Sequence, residues 1–145
     1  MSPELGKIND LLVSVYHDII VLEERQLQAE NFSDLSMTEI HTIEKIGMYK
    51  KKTASDVAKE LSITLGTLTT AVNKLVKKGY VERLRSEDDK RVVKLGLTKN
   101  GRLVYRAHES FHHKMINHVL SNLDEAEVSA LTKGLENLHG FLGQD

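Results

Sequence analysis

"TLGTLTTAVNKLVKKGYVERLRSEDDKRVVKLGLTKNG" occupies residues 64–101 and changes its pattern twice. Thr64 is a residue that starts helices and Gly79 one that ends them. Between them Leu65, Leu68, Val72, Leu75 and Val76 recur at helical spacing. "YVERLR" (80–85) and "RVVKLGL" (91–97) then alternate, the first imperfectly, around the polar turn "SEDDK". From Thr98 helical spacing returns, to about Leu123. Upstream stand two capping boxes, "SMTE" (36–39) and "TASD" (53–56). The first predicts a helix carrying Ile40, Ile43 and Ile46 and ending near Gly47. The second predicts a short helix burying Val57, Ala58 and Leu61. Capped helix, short helix, tight turn, third helix over 65–78 and charged hairpin make a winged helix-turn-helix, mainly α with a small two- to three-stranded β wing.

The ends of the chain are striped. Leu5, Ile8, Leu12, Val15, Ile19 and Leu22 follow heptad-like spacing in a predicted helix over 3–28. Leu11, Tyr16, Ile20 and Val21 widen that stripe, so the helix must bury more than one side, which points to a second chain. Asp124 with Glu127 caps a last helix carrying Val128, Leu131, Leu135, Leu138 and Leu142. The expectation is a single domain, 1–145, with a winged-helix lobe at about 36–97 set between striped helices at about 3–28 and 98–142.

Composition narrows the function classes. With no cysteine among 145 residues, a disulfide scaffold, a thiol sensor and a cysteine nucleophile are excluded. No apolar run approaches a membrane span, and the N-terminus lacks the pattern of a signal peptide, so a cytoplasmic protein with no membrane partner is expected. The formal net charge of −1 hides an asymmetry: residues 50–106 hold 15 Lys and Arg against six Asp and Glu. That middle is +9 and the ends together −10, the pattern of a polyanion site built into a larger support. No Gly-rich phosphate loop is present, and a Ser/His/Asp set chosen from seven histidines carries no information, so no enzyme is expected. A winged helix serving RNA or protein contact is the rival to an operator binder. An acid-free reader helix argues against protein contact.

On the third helix, Gly66, Thr67, Thr70, Asn73, Lys74 and Lys77 fall opposite the apolar arc, with Thr69 at its margin. Small residues let a helix approach base edges, and threonine offers a hydroxyl and a methyl. Asn73 matches adenine bidentately, while Lys74 and Lys77 suit phosphates. Arg83 and Arg85 add charge on the first strand. In the turn, Asp89 and Arg91 stand two apart, so the carboxylate can orient the guanidinium. Read alone, this is a surface ion pair worth about 0–1 kcal/mol. At the tip of a wing, an oriented arginine fits a narrow minor groove.

The run Asp89-x-Arg91-x5-Leu97-Thr98-x2-Gly101 resembles the wing signature of the MarR family of transcription regulators, and the striped ends are similar to that family's dimerisation helices. The resemblance implies a homodimer on double-stranded palindromic DNA. Each reader helix would enter a major groove and each wing, through Arg91 oriented by Asp89, the minor groove or backbone. "EIHTIEKIG" (39–47) and "ITLGTLTTAVNKLVKKGYVERLRSEDDKRVV" (63–93) resemble the fatty-acid-biosynthesis repressor branch of low-GC Gram-positive bacteria. That implies repression of fatty-acid synthesis genes with long-chain acyl-acyl carrier protein as corepressor. A regulator answering another small molecule, or zinc, is the alternative. If the branch holds, an apolar tunnel is expected, with Leu22, Ile40, Ile43, Ile46, Phe111 and Met115 as candidate lining. By base rates each is more often packed core. His108 and His112 stand four apart, but no further ligand box accompanies them. They are expected to face solvent or an interface, and no metal or other cofactor is expected.

Overall fold

The computed structural model describes residues 1–29 and 31–143. The chain order is α1 (Pro3–Ala29), α2 (Met37–Ile46), β1 (Lys52–Thr53), α3 (Ala54–Glu60), α4 (Leu65–Lys78), β2 (Val81–Arg85), β3 (Val93–Leu97), α5 (Lys99–Leu120) and α6 (Glu125–Leu142). Two compact units emerge, Met1–His108 and Glu109–Asp145, with the boundary inside α5.

Helix starts follow their caps. Ser36 Oγ accepts from the Glu39 N–H at 3.1 Å, and Glu39 Oε1 accepts from the Ser36 N–H at 3.1 Å. Thr53 with Asp56 and Asp124 with Glu127 close the same reciprocal box. Each box satisfies backbone donors that a first helical turn leaves open. α4 has only half the device. Thr64 Oγ1 accepts from the Thr67 N–H at 3.1 Å, and no acid stands in its first turn. It stops at Gly79, whose φ of +87° is left-handed backbone that suits glycine.

The first unit's core joins Ile40, Ile43 and Ile46 of α2, Val57 and Ala58 of α3, Leu68, Val72 and Leu75 of α4, Val81, Leu95 and Leu97 of the sheet, and Val104 of α5. Leu65 and Val76 depart from expectation: they are exposed, at 49% and 37%. At 3.6 residues per turn, the three buried positions of α4 cluster within about a sixth of a turn. Leu65 and Val76 fall at that cluster's edge.

The sheet is antiparallel in the order β1-β3-β2. Its strands are shorter than the alternating runs: residues 91 and 92 belong to the turn, where the Val92 N–H donates to Asp89 O at 3.0 Å. α5 likewise stops at Leu120, before residue 123. The register explains the imperfect alternation of β2. Val81 opposes Leu97 and Arg83 opposes Leu95, so Val81 and Arg83 share a face. Val81 is buried on that face, while Arg83, one pleat nearer the wing tip on the outer strand β2, is exposed although it opposes buried Leu95.

Thr98 and Gly101 tie α5 to the end of α4. The Thr98 N–H donates to Tyr80 O at 3.1 Å, and its hydroxyl donates to Gly79 O at 2.6 Å while accepting from the Gly101 N–H at 3.2 Å. A Cβ placed on Gly101 would lie 2.0 Å from Tyr80 O. The spacing Thr98-x2-Gly101 is therefore a close crossing of backbones. Nearby, the Tyr80 hydroxyl donates to Asp34 Oδ1 at 2.8 Å. Burial first, then that bond, pushes its pKa up to about 12. Lys78 Nζ donates to both Glu39 carboxylate oxygens at 2.9 and 3.0 Å, joining α4 to α2.

His108 corrects one half of a further expectation, since it does not face solvent. It is buried, and its Nε2 lies 3.1 Å from Glu44 Oε2. The imidazole held against a carboxylate accounts for this. That hydrogen bond is the main reason the Glu44 carboxyl sits below its ordinary value of 4.5, against the opposing effect of burial. A depressed carboxyl contributes stability above its unfolded-state pKa and loses it as pH falls through the folded value. The Glu44 side chain is 45% exposed, so solvent screening holds the contribution to about 0.5 kcal/mol. Denaturant titrations should show Glu44→Gln less stable than the parent above pH 4.5 by that amount, the gap closing as pH falls further. A gap that persists unchanged at pH 3 would remove the pair as its cause.

On α1, Leu5, Ile8, Leu11, Leu12 and Val15 are exposed by 44–56%. In the second unit Val128, Leu131 and Leu138 of α6 are half-buried, and Leu135, Phe141 and Leu142 are exposed. No described helix is long and apolar enough to cross a membrane.

Candidate nucleic-acid interface

α4 presents Gly66, Thr67, Thr69, Thr70, Asn73, Lys74 and Lys77 to solvent. The absence of any Asp or Glu from the helix makes this face neutral at its start and positive at its end. The threonines are not free hydroxyls. Thr69 Oγ1 donates to Leu65 O at 2.8 Å and Thr70 Oγ1 to Gly66 O at 3.2 Å. Thr67 Oγ1 shares a 2.8 Å bond with Thr64 Oγ1. Thr69 and Thr70 thus satisfy their protons on the helix's own carbonyls, keeping acceptor lone pairs and methyl groups to offer. That favours contact with thymine methyls over donation to phosphate.

Asn73 and Arg83, read from the sequence as separate contacts, are bonded to each other: Arg83 Nη2 donates to Asn73 Oδ1. Lys74, Lys77 and Arg85 are exposed. In the wing, Asp89 Oδ1 accepts from the Arg91 backbone N–H at 3.0 Å and from Arg91 Nε at 3.2 Å. Asp89 Oδ2 lies 3.5 Å from Arg91 Nη2. The Arg91 side chain is nevertheless 92% exposed, so a carboxylate braces its root while its charge projects outward. Nothing in the structure explains Asp88.

The expected tunnel residues differ in burial. Ile43 and Ile46 are fully buried core, and Leu22 is 47% exposed. Phe111 and Met115 are half-buried in the second unit. Ile40 lines a pocket with Glu23, Gln26, Leu27, Phe32, Met37, Val104, Ala107 and His108, whose volume of ≈ 10 Å³ is that of about one water. Sequence reasoning missed the junction of Thr98 and Gly101 with residues 79–80, the Glu44 partner of His108, and the pairing of β1. The signal for the first was present in the spacing of Thr98 and Gly101. Two-residue β1 carried none.

A MarR family profile matches residues 35–93. Curated relatives include the HTH-type transcriptional regulator PchR of Bacillus subtilis, 28% identical over 110 residues, 74% of this chain and 65% of that protein. SarZ of Staphylococcus aureus is 30% identical over 104 residues, 72% of this chain and 69% of that protein. For the first curated relatives, the match spans about three fifths to two thirds of their own length. Among solved structures, Streptococcus pneumoniae FabT in complex with DNA is 46% identical with a TM-score of 0.84, covering 95% of this chain and 96% of that one. A mutant Escherichia coli MarR complexed with operator DNA is 27% identical with a TM-score of 0.65, covering 93% and 95%. A winged helix with an acid-free reader face, matched in sequence and fold along nearly its whole length, is decisive: the chain belongs to the MarR family of DNA-binding transcription regulators.

Proposed function

We propose that the chain is a repressor of fatty-acid biosynthesis genes that binds palindromic DNA as a homodimer, with long-chain acyl-acyl carrier protein as its corepressor. The observation that carries this reading is the 46% identity over 95% of the chain to FabT of Streptococcus pneumoniae, itself a DNA complex. The exposed apolar residues of α1, from Leu5 to Val15, supply a surface for a second copy. Thr67, Thr69 and Thr70 face bases, with Lys74, Lys77 and Arg85 on phosphates and Arg91 in the minor groove. A pocket of ≈ 10 Å³ holds no acyl chain, so the corepressor would bind a state in which α1, α2 and α5 part around Ile40. Its effect on DNA affinity is then its differential affinity for the DNA-competent state.

Mobility-shift titrations on a palindromic duplex, with and without long-chain acyl carrier protein, test the reading. The expected result is two chains per duplex, affinity falling steeply with salt, and tighter binding when the acyl form is present. Unchanged affinity with the acyl form would refute the fatty-acid branch. Equal, weak binding to every duplex would refute operator recognition.

A further inference from the structure

We infer that Asn73 is a positioning residue and that Arg83, held by it, reads a guanine in the major groove. The inference rests on the DNA-contact face proposed above and changes what that face recognises. Arg83 Nη2 and Asn73 Oδ1 are in hydrogen-bond contact between β2 and α4. A guanidinium only donates, so the Asn73 atom that meets it must be the carbonyl oxygen. Bidentate reading of adenine needs that same oxygen to accept from N6 while the amide donates to N7. The bond to Arg83 takes one of that oxygen's two lone pairs and turns the amide toward β2.

Arg83 gains what Asn73 gives up. It stands on the outer strand β2 opposite buried Leu95, and its exposed side chain reaches Asn73 on the exposed side of α4. Both residues are exposed, and the contact joins two elements ten residues apart in the chain. A long, free arginine loses side-chain entropy when it docks. One already bonded loses less and holds its remaining N–H donors in a fixed plane. A fixed plane of donors, with no acceptor, complements the O6 and N7 acceptors of guanine. The threonine face beside it, its hydroxyl protons turned inward, suits the methyls of neighbouring thymines.

The test uses the full chain and selection from a pool of random-sequence duplexes. The parent protein should select a motif with a guanine whose replacement weakens binding about tenfold to a hundredfold. Arg83→Ala and Asn73→Ala should both relax the preference at that base pair, with melting temperatures unchanged. Asn73→Asp keeps the acceptor for Arg83 but has no N–H for adenine N7. It should retain the guanine preference, with weaker overall affinity from its added negative charge. Loss of preference at an adenine in both Asn73 variants, with Arg83→Ala altering only the salt slope, would overturn the inference. So would an unaltered motif in all three variants. Failure of the parent to select any motif would instead refute operator recognition itself.

Discussion

Replacing Gly101 with alanine is expected to destabilise the protein by about 2–4 kcal/mol, the upper part of the range for overpacked interiors. In a chain of this length that is a fall in melting temperature of about 10 °C. The added methyl would stand 2.0 Å from Tyr80 O and 3.1 Å from Leu97 Cβ. The first obstacle is backbone and cannot swing aside. It is also the acceptor of the Thr98 N–H, so moving it loosens the bond that starts α5. Alanine's better helix propensity, about 1 kcal/mol over glycine, offsets only part of this. Gly134, in the middle of α6 with nothing within 4 Å of an added Cβ, is the control. There alanine should stabilise by about 0.5–1 kcal/mol. Thermal melts of the two variants give the comparison, and a Gly101→Ala protein melting with the parent would show that the crossing is looser than its geometry.

The second large effect concerns binding. Arg91→Ala is expected to weaken the preferred duplex by about 1–3 kcal/mol, tenfold to a hundredfold, the range for losing one oriented contact. It should leave the melting temperature where it was. Folding has little to lose, because a pair this exposed contributes about 0–1 kcal/mol and the Arg91 side chain is 92% exposed. Asp89→Ala keeps the charge but releases the guanidinium, and a smaller loss is expected. In a double-mutant cycle the two changes should couple, since an orienting carboxylate matters only while its arginine is present. Additive losses would mean that Asp89 acts as a separate charge, and an unaffected Arg91→Ala would remove the wing from the interface.

The fold was legible because its signals are local. Ser36, Thr53, Thr64 and Asp124 all cap the helices they announce, and Gly79 ends α4. These residues act on backbone within four positions, so their spacing in the chain is their geometry. What was not legible depends on the meeting of distant segments. Arg83 and Asn73 each had a partner to offer in DNA, and only the packing of β2 beside α4 reveals that they meet. His108 looked like half of an i, i+4 pair on one helix face, while Glu44, 64 residues away, was invisible to spacing. Ile43 and Ile46 show the same limit from the other side, since helical periodicity identifies a buried face without telling a filled interior from a hollow one.

The half-capped start of α4 has a consequence in selection. Three other helices carry an acid at the third position of a closed box, and α4 carries Thr67 there. A glutamate at 67 would complete the box and complement the positive end of the helix. It would also place a negative charge on the face proposed to meet DNA. A lineage selected only for heat resistance would accept that change, whereas one that must keep reading DNA has reason to refuse it. Position 67 is thus a point where durability and recognition compete for one side chain, and threonine is the compromise that both permit.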